Sequence, residues 1–169
     1  QKTMYSNLMF GEKMNRLFQP ELVRIVDRFD TKGQCLEYLT QLMADSGCLS
    51  FPDRFLAAVK GREEIMSTGI GKGVAIPHAR DLTVSCLRIS VCMLREGLDF
   101  QAVDAQPVRL VFMIAVPQSS NKEYMKILRS LSEYLRQDAN RNLLNSATSE
   151  RELFDYVHQI QDHIDHDNA

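Results

Sequence analysis

The sequence predicts an α/β domain: a mixed β-sheet flanked by helices on both faces, in a single compact unit. Three observations predict it. Val108–Val116 ("VRLVFMIAV") is almost wholly apolar, as a central strand covered on both sides must be. Leu87, Ile89, Val91 and Met93 alternate with Cys86, Arg88, Ser90 and Cys92, which is the period of a strand with one strongly buried face. The capping boxes Thr31-x-x-Gln34, Ser120-x-x-Glu123 and Ser149-x-x-Glu152 open helical repeats before and after those strands. Helices in front, between and behind strands give a layered domain.

In chain order, "EKMNRLFQPEL" predicts a short helix stopped at Pro20. Leu22–Val26 is apolar enough for a short strand. Cys35, Leu36, Leu39, Leu42 and Met43 recur at helical spacing after the Thr31 cap, and Gly47 closes that helix. Ser50 is the expected N-cap of a second helix, with Pro52 in its first turn and Phe55, Leu56 and Val59 on its buried face. "DFQAVDAQP" reads as a turn region, and Pro117 ends the central strand. The long helix after Ser120 should bury Met125, Leu128, Leu131 and Leu135. A short helical piece spans Asn140 to Ala147, and the last helix should bury Leu153, Val157 and Ile160.

A length of 169 residues, 44% hydrophobic and 25% charged, fits one soluble domain with a real core. A formal net charge of -2 with no basic stripe excludes nucleic-acid binding by global electrostatics. The longest apolar runs, such as Leu110–Val116, are far below the ~20 residues of a bilayer span, so no direct membrane insertion is expected. Cys35, Cys48, Cys86 and Cys92 form no C-x-x-C pair. Four buried thiols in a reducing compartment are favoured over a disulfide framework, and the expected location is the cytoplasm. Gln1 stands where an initiator Met is expected, which suggests a piece cut from a longer chain.

The stretch Ser67–Arg80, "STGIGKGVAIPHAR", carries the chemistry. It is not a nucleotide loop: G-x-x-x-x-G-K-[ST] would need Gly at position 66, where the chain has Met66, and Gly69-x-Gly71-x-Gly73 lacks the dinucleotide spacing. Three glycines allow close approach or sharp bending, and Pro77 stiffens the chain just before His78. A neutral imidazole presented in that way is a competent nucleophile, and on attacking phosphorus it forms a phosphoramidate. Arg62 is the guanidinium available for phosphoryl oxygens, Arg80 is a second, and backbone amides can add to them. The competing reading makes His78 a hydrogen-bonded histidine in a tight turn. His158, His163 and His166, with Asp162, Asp165 and Asp167 among them, read as a frayed, solvated helix end rather than a metal site. Glu63–Glu64 reads as a solvated turn rather than an acid dyad.

The residues "GREEIMSTGIGKGVAIPHAR" resemble the signature of the EIIA domain of the phosphoenolpyruvate-dependent phosphotransferase system, fructose/mannitol type, including its nitrogen-regulatory branch. The match runs through Arg62, Glu63, Thr68, Gly69, Ile70, Gly71, Gly73, Val74, Ala75, Ile76, Pro77 and His78, and "LVFMIAVP" resembles the family's following core strand. The resemblance implies an EIIA-like domain over residues 18–163, an N-terminal extension over 1–17 and a tail over 164–169. It implies that His78 accepts a phosphoryl group from the histidine phosphocarrier protein, that Arg62 supports it, and that Thr68, Gly69, Gly71 and Gly73 line the phosphate. No metal, nucleotide or other cofactor is needed for that relay. The recipient would be a B domain or a regulated transporter. The family's second histidine is replaced here by Tyr124 in "NKEYMKIL", whose hydroxyl can donate a hydrogen bond but carries no positive charge. The alternative is a regulatory interaction module, free-standing or from the cytosolic tail of a membrane transporter.

Overall fold

The computed structural model describes residues 16–168. A 3-10 turn at Pro20–Leu22 leads into β1 (Val23–Val26), then α1 (Lys32–Asp45) and α2 (Pro52–Ile65). Three short strands follow: β2 (Gly69–Gly71), β3 (Val74–Ala75) and β4 (His78–Asp81). The long strands β5 (Arg88–Leu98) and β6 (Val108–Pro117) precede α3 (Asn121–Arg136), α4 (Asp138–Asn145) and α5 (Glu150–Asp167).

The sheet is mixed, as predicted. β1 lies parallel to β5, β5 antiparallel to β6, and β3 and β4 both lie parallel to β6, one after the other along its far edge. β2 folds back antiparallel on β3. One face buries Ile89, Val91, Met93, Leu110, Phe112, Ile114 and Val116 against α3, α4 and α5. The other buries Cys92, Leu94, Val111, Met113 and Ala115 against α1 and α2.

Local signals and outcome differ in instructive places. Thr31 caps α1 by accepting from the Gln34 amide, and Gly47 follows the helix with φ 83. Ser149 caps α5 in the same way through the Glu152 amide. Ser50, however, is not a cap. Its N–H donates to the Thr83 carbonyl beside the Leu49–Val84 bridge, so α2 starts one residue later, after Phe51. Ser120 makes no side-chain cap; only its carbonyl is used, by the Tyr124 amide. The buried face of α3 is Tyr124, Ile127, Leu131 and Leu135, while Met125 is 54% exposed. Two stripes in that helix satisfy helical spacing, and contact with the sheet selects one. β5 is covered on both faces through Leu94, because α1 lies over Ser90 and Cys92.

At the N-terminus, the part of the expected helix before residue 16 lies outside the described residues. Residues 16–19 are not helical, and Pro20 begins the 3-10 turn instead of ending a helix. Leu17 belongs to the core: its N–H donates to Gln161 Oε1 at 2.8 Å and its carbonyl accepts from Ile89. At the other end α5 runs to Asp167 with Ile164 buried, so the helix continues past the boundary expected at 163. All four cysteines are free thiols; Cys35, Cys48 and Cys92 are buried and Cys86 is half-buried. Burial pushes the Cys35 and Cys48 thiols up to about 12, which leaves them protonated and unreactive at neutral pH. No helix among the described residues is long and apolar enough to cross a membrane.

Candidate functional site

His78 opens β4, in register with Ile114 of β6. Its neighbour Ala79 packs toward α1 and α2, so by strand alternation the His78 ring turns to the opposite face. There it meets the Tyr124 ring from the first turn of α3, with centroids 5.5 Å apart and planes tilted by 43°. His78 Nδ1 lies 2.8 Å from the Ile76 carbonyl oxygen. A carbonyl only accepts, so Nδ1 holds the proton and Nε2 holds the lone pair. Burial pushes the imidazole below its ordinary value. The bond to Ile76 opposes that shift, the Arg62 charge adds to it, and Glu63 opposes it. The ring is therefore neutral at pH 7, with Nε2 unprotonated.

Arg62 sits in the last turn of α2, half-buried, with one guanidinium N–H on the Met66 carbonyl at 2.7 Å. A guanidinium has five donors, so this bond orients the group without exhausting it. Its charge lowers the pKa of both His78 and Tyr124, so its field reaches both rings. For Tyr124 burial is the larger influence and raises the phenol, so the hydroxyl stays a donor at neutral pH. Arg80 follows His78 on the same face of β4 and is exposed. The structure thus brings His78 and Tyr124 together, within the field of the Arg62 charge.

The glycine segment has work of its own. A Cβ on Gly69 would stand 2.8 Å from Ala102, so only glycine lets the 99–107 loop lie against β2. Gly71, Lys72 and Gly73 have φ of 97, 58 and 79, forming the tight left-handed tip of the β2–β3 hairpin. The Thr68 amide and hydroxyl both bond Glu63, the Gly69 amide bonds Ser67 Oγ, and the Lys72 amide bonds Asp104. These groups are engaged inside the fold. Gly71 and Gly73 shape the turn that leads into β3 and on to His78.

Glu63 corrects the expectation of a solvated turn. It is 8% exposed, and its carboxylate pairs with Lys32 Nζ at 2.6 Å, while Glu64 is exposed. Lys32 lies on a different helix, far away in sequence, and no local pattern links the two. The C-terminal histidines sit on an intact α5 rather than a frayed end: His163 faces Asp167 at 3.3 Å and stacks on Tyr134, and His158 stacks on Phe154.

This geometry can be set beside that of known proteins. The family described as phosphoenolpyruvate-dependent sugar phosphotransferase system, EIIA 2, matches residues 16–160. The chain belongs to that family. It is 34% identical over 140 residues to the PTS system fructose-specific EIIA component of Haloferax volcanii, covering 83% of this chain and 91% of that one. It is 30% identical over 147 residues to the PTS system fructose-specific EIIABC component of Bacillus subtilis, covering 87% of this chain but only 23% of the longer one. Among solved structures, the nitrogen regulatory protein IIA-Ntr from Neisseria meningitidis superposes with a TM-score of 0.78 at 26% identity, covering 86% of this chain and 99% of that one. Membership of the EIIA family fits a phosphoryl-relay or regulatory role.

Proposed function

We propose that His78 is the phosphoryl acceptor of this EIIA domain. In this reading the donor is the phosphohistidine of a histidine phosphocarrier protein, and the domain works in the cytoplasm. The Nε2 lone pair attacks phosphorus in line. The donor's N–P bond breaks, its electron pair leaves on the donor imidazole, and the new bond forms on Nε2. The proton stays on Nδ1 throughout, donated in a hydrogen bond to the Ile76 carbonyl. Arg62 binds the phosphoryl oxygens and stabilises the charge spread over them in the transition state. The single observation that carries the reading is the Nδ1 bond to Ile76, which leaves the lone pair on Nε2. The amides of Thr68, Gly69 and Lys72 are engaged within the fold, so in this reading Arg62 and the Tyr124 hydroxyl are donors to the phosphoryl oxygens.

Onward transfer is the second half of the function. The recipient we propose is a B domain, with use of the phosphorylated state as a regulatory signal as the second reading. One observation favours the second. Tyr124 packs on His78 where the family signature has a histidine, and a phenol offers a hydrogen bond without the positive charge that helps phosphorus depart. The experiment is direct. Incubate the chain with the phosphoenolpyruvate-driven donor proteins and look for acid-labile, base-stable phosphate, with His78→Ala alongside. Labelling of the wild type alone is expected; equal labelling of both, or of neither, removes the proposal. Replacing Tyr124 by His should speed transfer to a B domain, and an unchanged rate would count against Tyr124 as the limiting group.

A further inference from the structure

We infer that the pair formed by half-buried Lys32 and buried Glu63 is the positioning device of the nucleophile: acting through Thr68 and Ile76, it holds His78 with its proton on Nδ1 and its lone pair on Nε2. The inference rests on the proposed role of His78 and adds residues that do not touch the phosphoryl group.

The path is continuous. Lys32 Nζ pairs with the Glu63 carboxylate at 2.6 Å. That carboxylate accepts both the Thr68 N–H, at 3.1 Å, and the Thr68 hydroxyl. The Thr68 carbonyl accepts the Ile76 N–H at 3.0 Å, and the Ile76 carbonyl faces His78 Nδ1 at 2.8 Å. Each bond anchors one residue of the path, so the ammonium–carboxylate pair restrains Thr68 and, through it, the residue whose carbonyl selects the tautomer. An imidazole free in water prefers its proton on Nε2, and the Ile76 carbonyl reverses that preference.

The device also reaches the cation. Glu63 is the next residue after Arg62 in the last turn of α2, so clamping Glu63 to Thr68 pins the turn that presents the guanidinium. Lys32 is anchored in its own right, by the Phe100 carbonyl, Gln101 Oε1 and the Phe100 ring face, 4.6 Å from its centroid. One ion pair therefore ties α1, α2, the start of β2 and the 99–107 loop together. Bonds to a charged acceptor are stronger and more directional than neutral ones, which suits a carboxylate here.

The test reads the tautomer separately from the chemistry. Two-bond 1H–15N correlation of His78 in the whole chain, above neutral pH, should show the Nδ1–H form in the wild type. Glu63→Ala should give a mixture of tautomers and slow phosphoryl uptake by about tenfold, the lower end of what loss of a partner that orients a histidine costs at metal sites. The neutral double swap Lys32→Met with Glu63→Gln keeps one oxygen acceptor where Thr68 uses two, and should fall between the wild type and Glu63→Ala in tautomer and rate, a wild-type result counting against the ion pair. Thr68→Val removes only the hydroxyl and should give a smaller shift in the same direction, so it serves if Glu63→Ala does not fold. A folded Glu63→Ala or Thr68→Val chain with the wild-type tautomer and rate overturns the inference. If the tautomer moves as expected but wild-type protein takes no phosphate, the proposed function fails and the positioning stands.

Discussion

The two faces of the sheet are built by different rules. The face under α3, α4 and α5 is packed with Phe, Ile, Leu and Val, from Phe18 and Phe112 to Leu131 and Ile164. The face under α1 and α2 holds three of the four thiols in full burial, with Thr40, Ser90 and the Lys32–Glu63–Thr68 network beside them. His78 looks out over the first face and is held from the second. The first face supplies mainly apolar packing, with Gln161 and Ser130 among its few buried polar groups. The second adds a hydrogen-bonded network to its apolar core, and only hydrogen bonds can fix which ring nitrogen carries a proton.

The sharpest way to break this comparison is to remove the largest ring from the apolar side. Phe112→Ala deletes a fully buried side chain that meets Phe18 edge-on, and should lower unfolding free energy by about 3–5 kcal/mol in a urea titration. Its effect on phosphoryl uptake, measured on the fraction that is folded, should be slight. Arg62→Gln makes the opposite cut. The side chain is half-buried at a helix end, so the urea midpoint should hardly move, while uptake from the phosphorylated donor should fall by about 10²–10³ in rate. Equal losses of stability and rate in either variant would erase the division between the faces.

Smaller effects sharpen it further. Tyr124→Phe keeps the ring on His78 and removes one hydroxyl, so uptake should fall by less than about tenfold with near-normal stability. The pH profile of uptake should be flat above about pH 6.5 and fall only on the acid side, because burial holds the imidazole below that ordinary value and protonation occupies Nε2. The same shift carries a stability term with a definite sign. Since the folded value is depressed, stability is complete above the unfolded pKa and declines as pH drops toward the folded one. His78→Gln should remove that component from the acid side of the stability curve.

Much of this was legible in the chain itself. The unbroken apolar run of β6 and the caps at Thr31 and Ser149 fixed layers and helix starts, because each is a local pattern with one physical solution. The helix face of α3 was not legible, since 125/128 and 124/127 both obey helical spacing and only the sheet chooses between them. Ser50 and Ser120 carry capping residue types without capping, because the Ser50 N–H is drawn into the bridge region and the Ser120 side chain accepts from no helix amide. At the site, Arg62 and His78 stand out by motif. Lys32 and the true environment of Glu63 do not, for their pairing joins two helices across a long stretch of chain. The glycines were readable as a place of close approach, but what approaches Gly69 is Ala102 of the chain's own loop.

The most direct measurement is nitrogen-15 and phosphorus-31 NMR of the uniformly labelled chain after reaction with the phosphorylated donor. A single phosphoryl group bonded to His78 Nε2, with the proton still on Nδ1, is the result this account predicts. Phosphorus on Nδ1, or on His158, His163 or His166 instead, would contradict it.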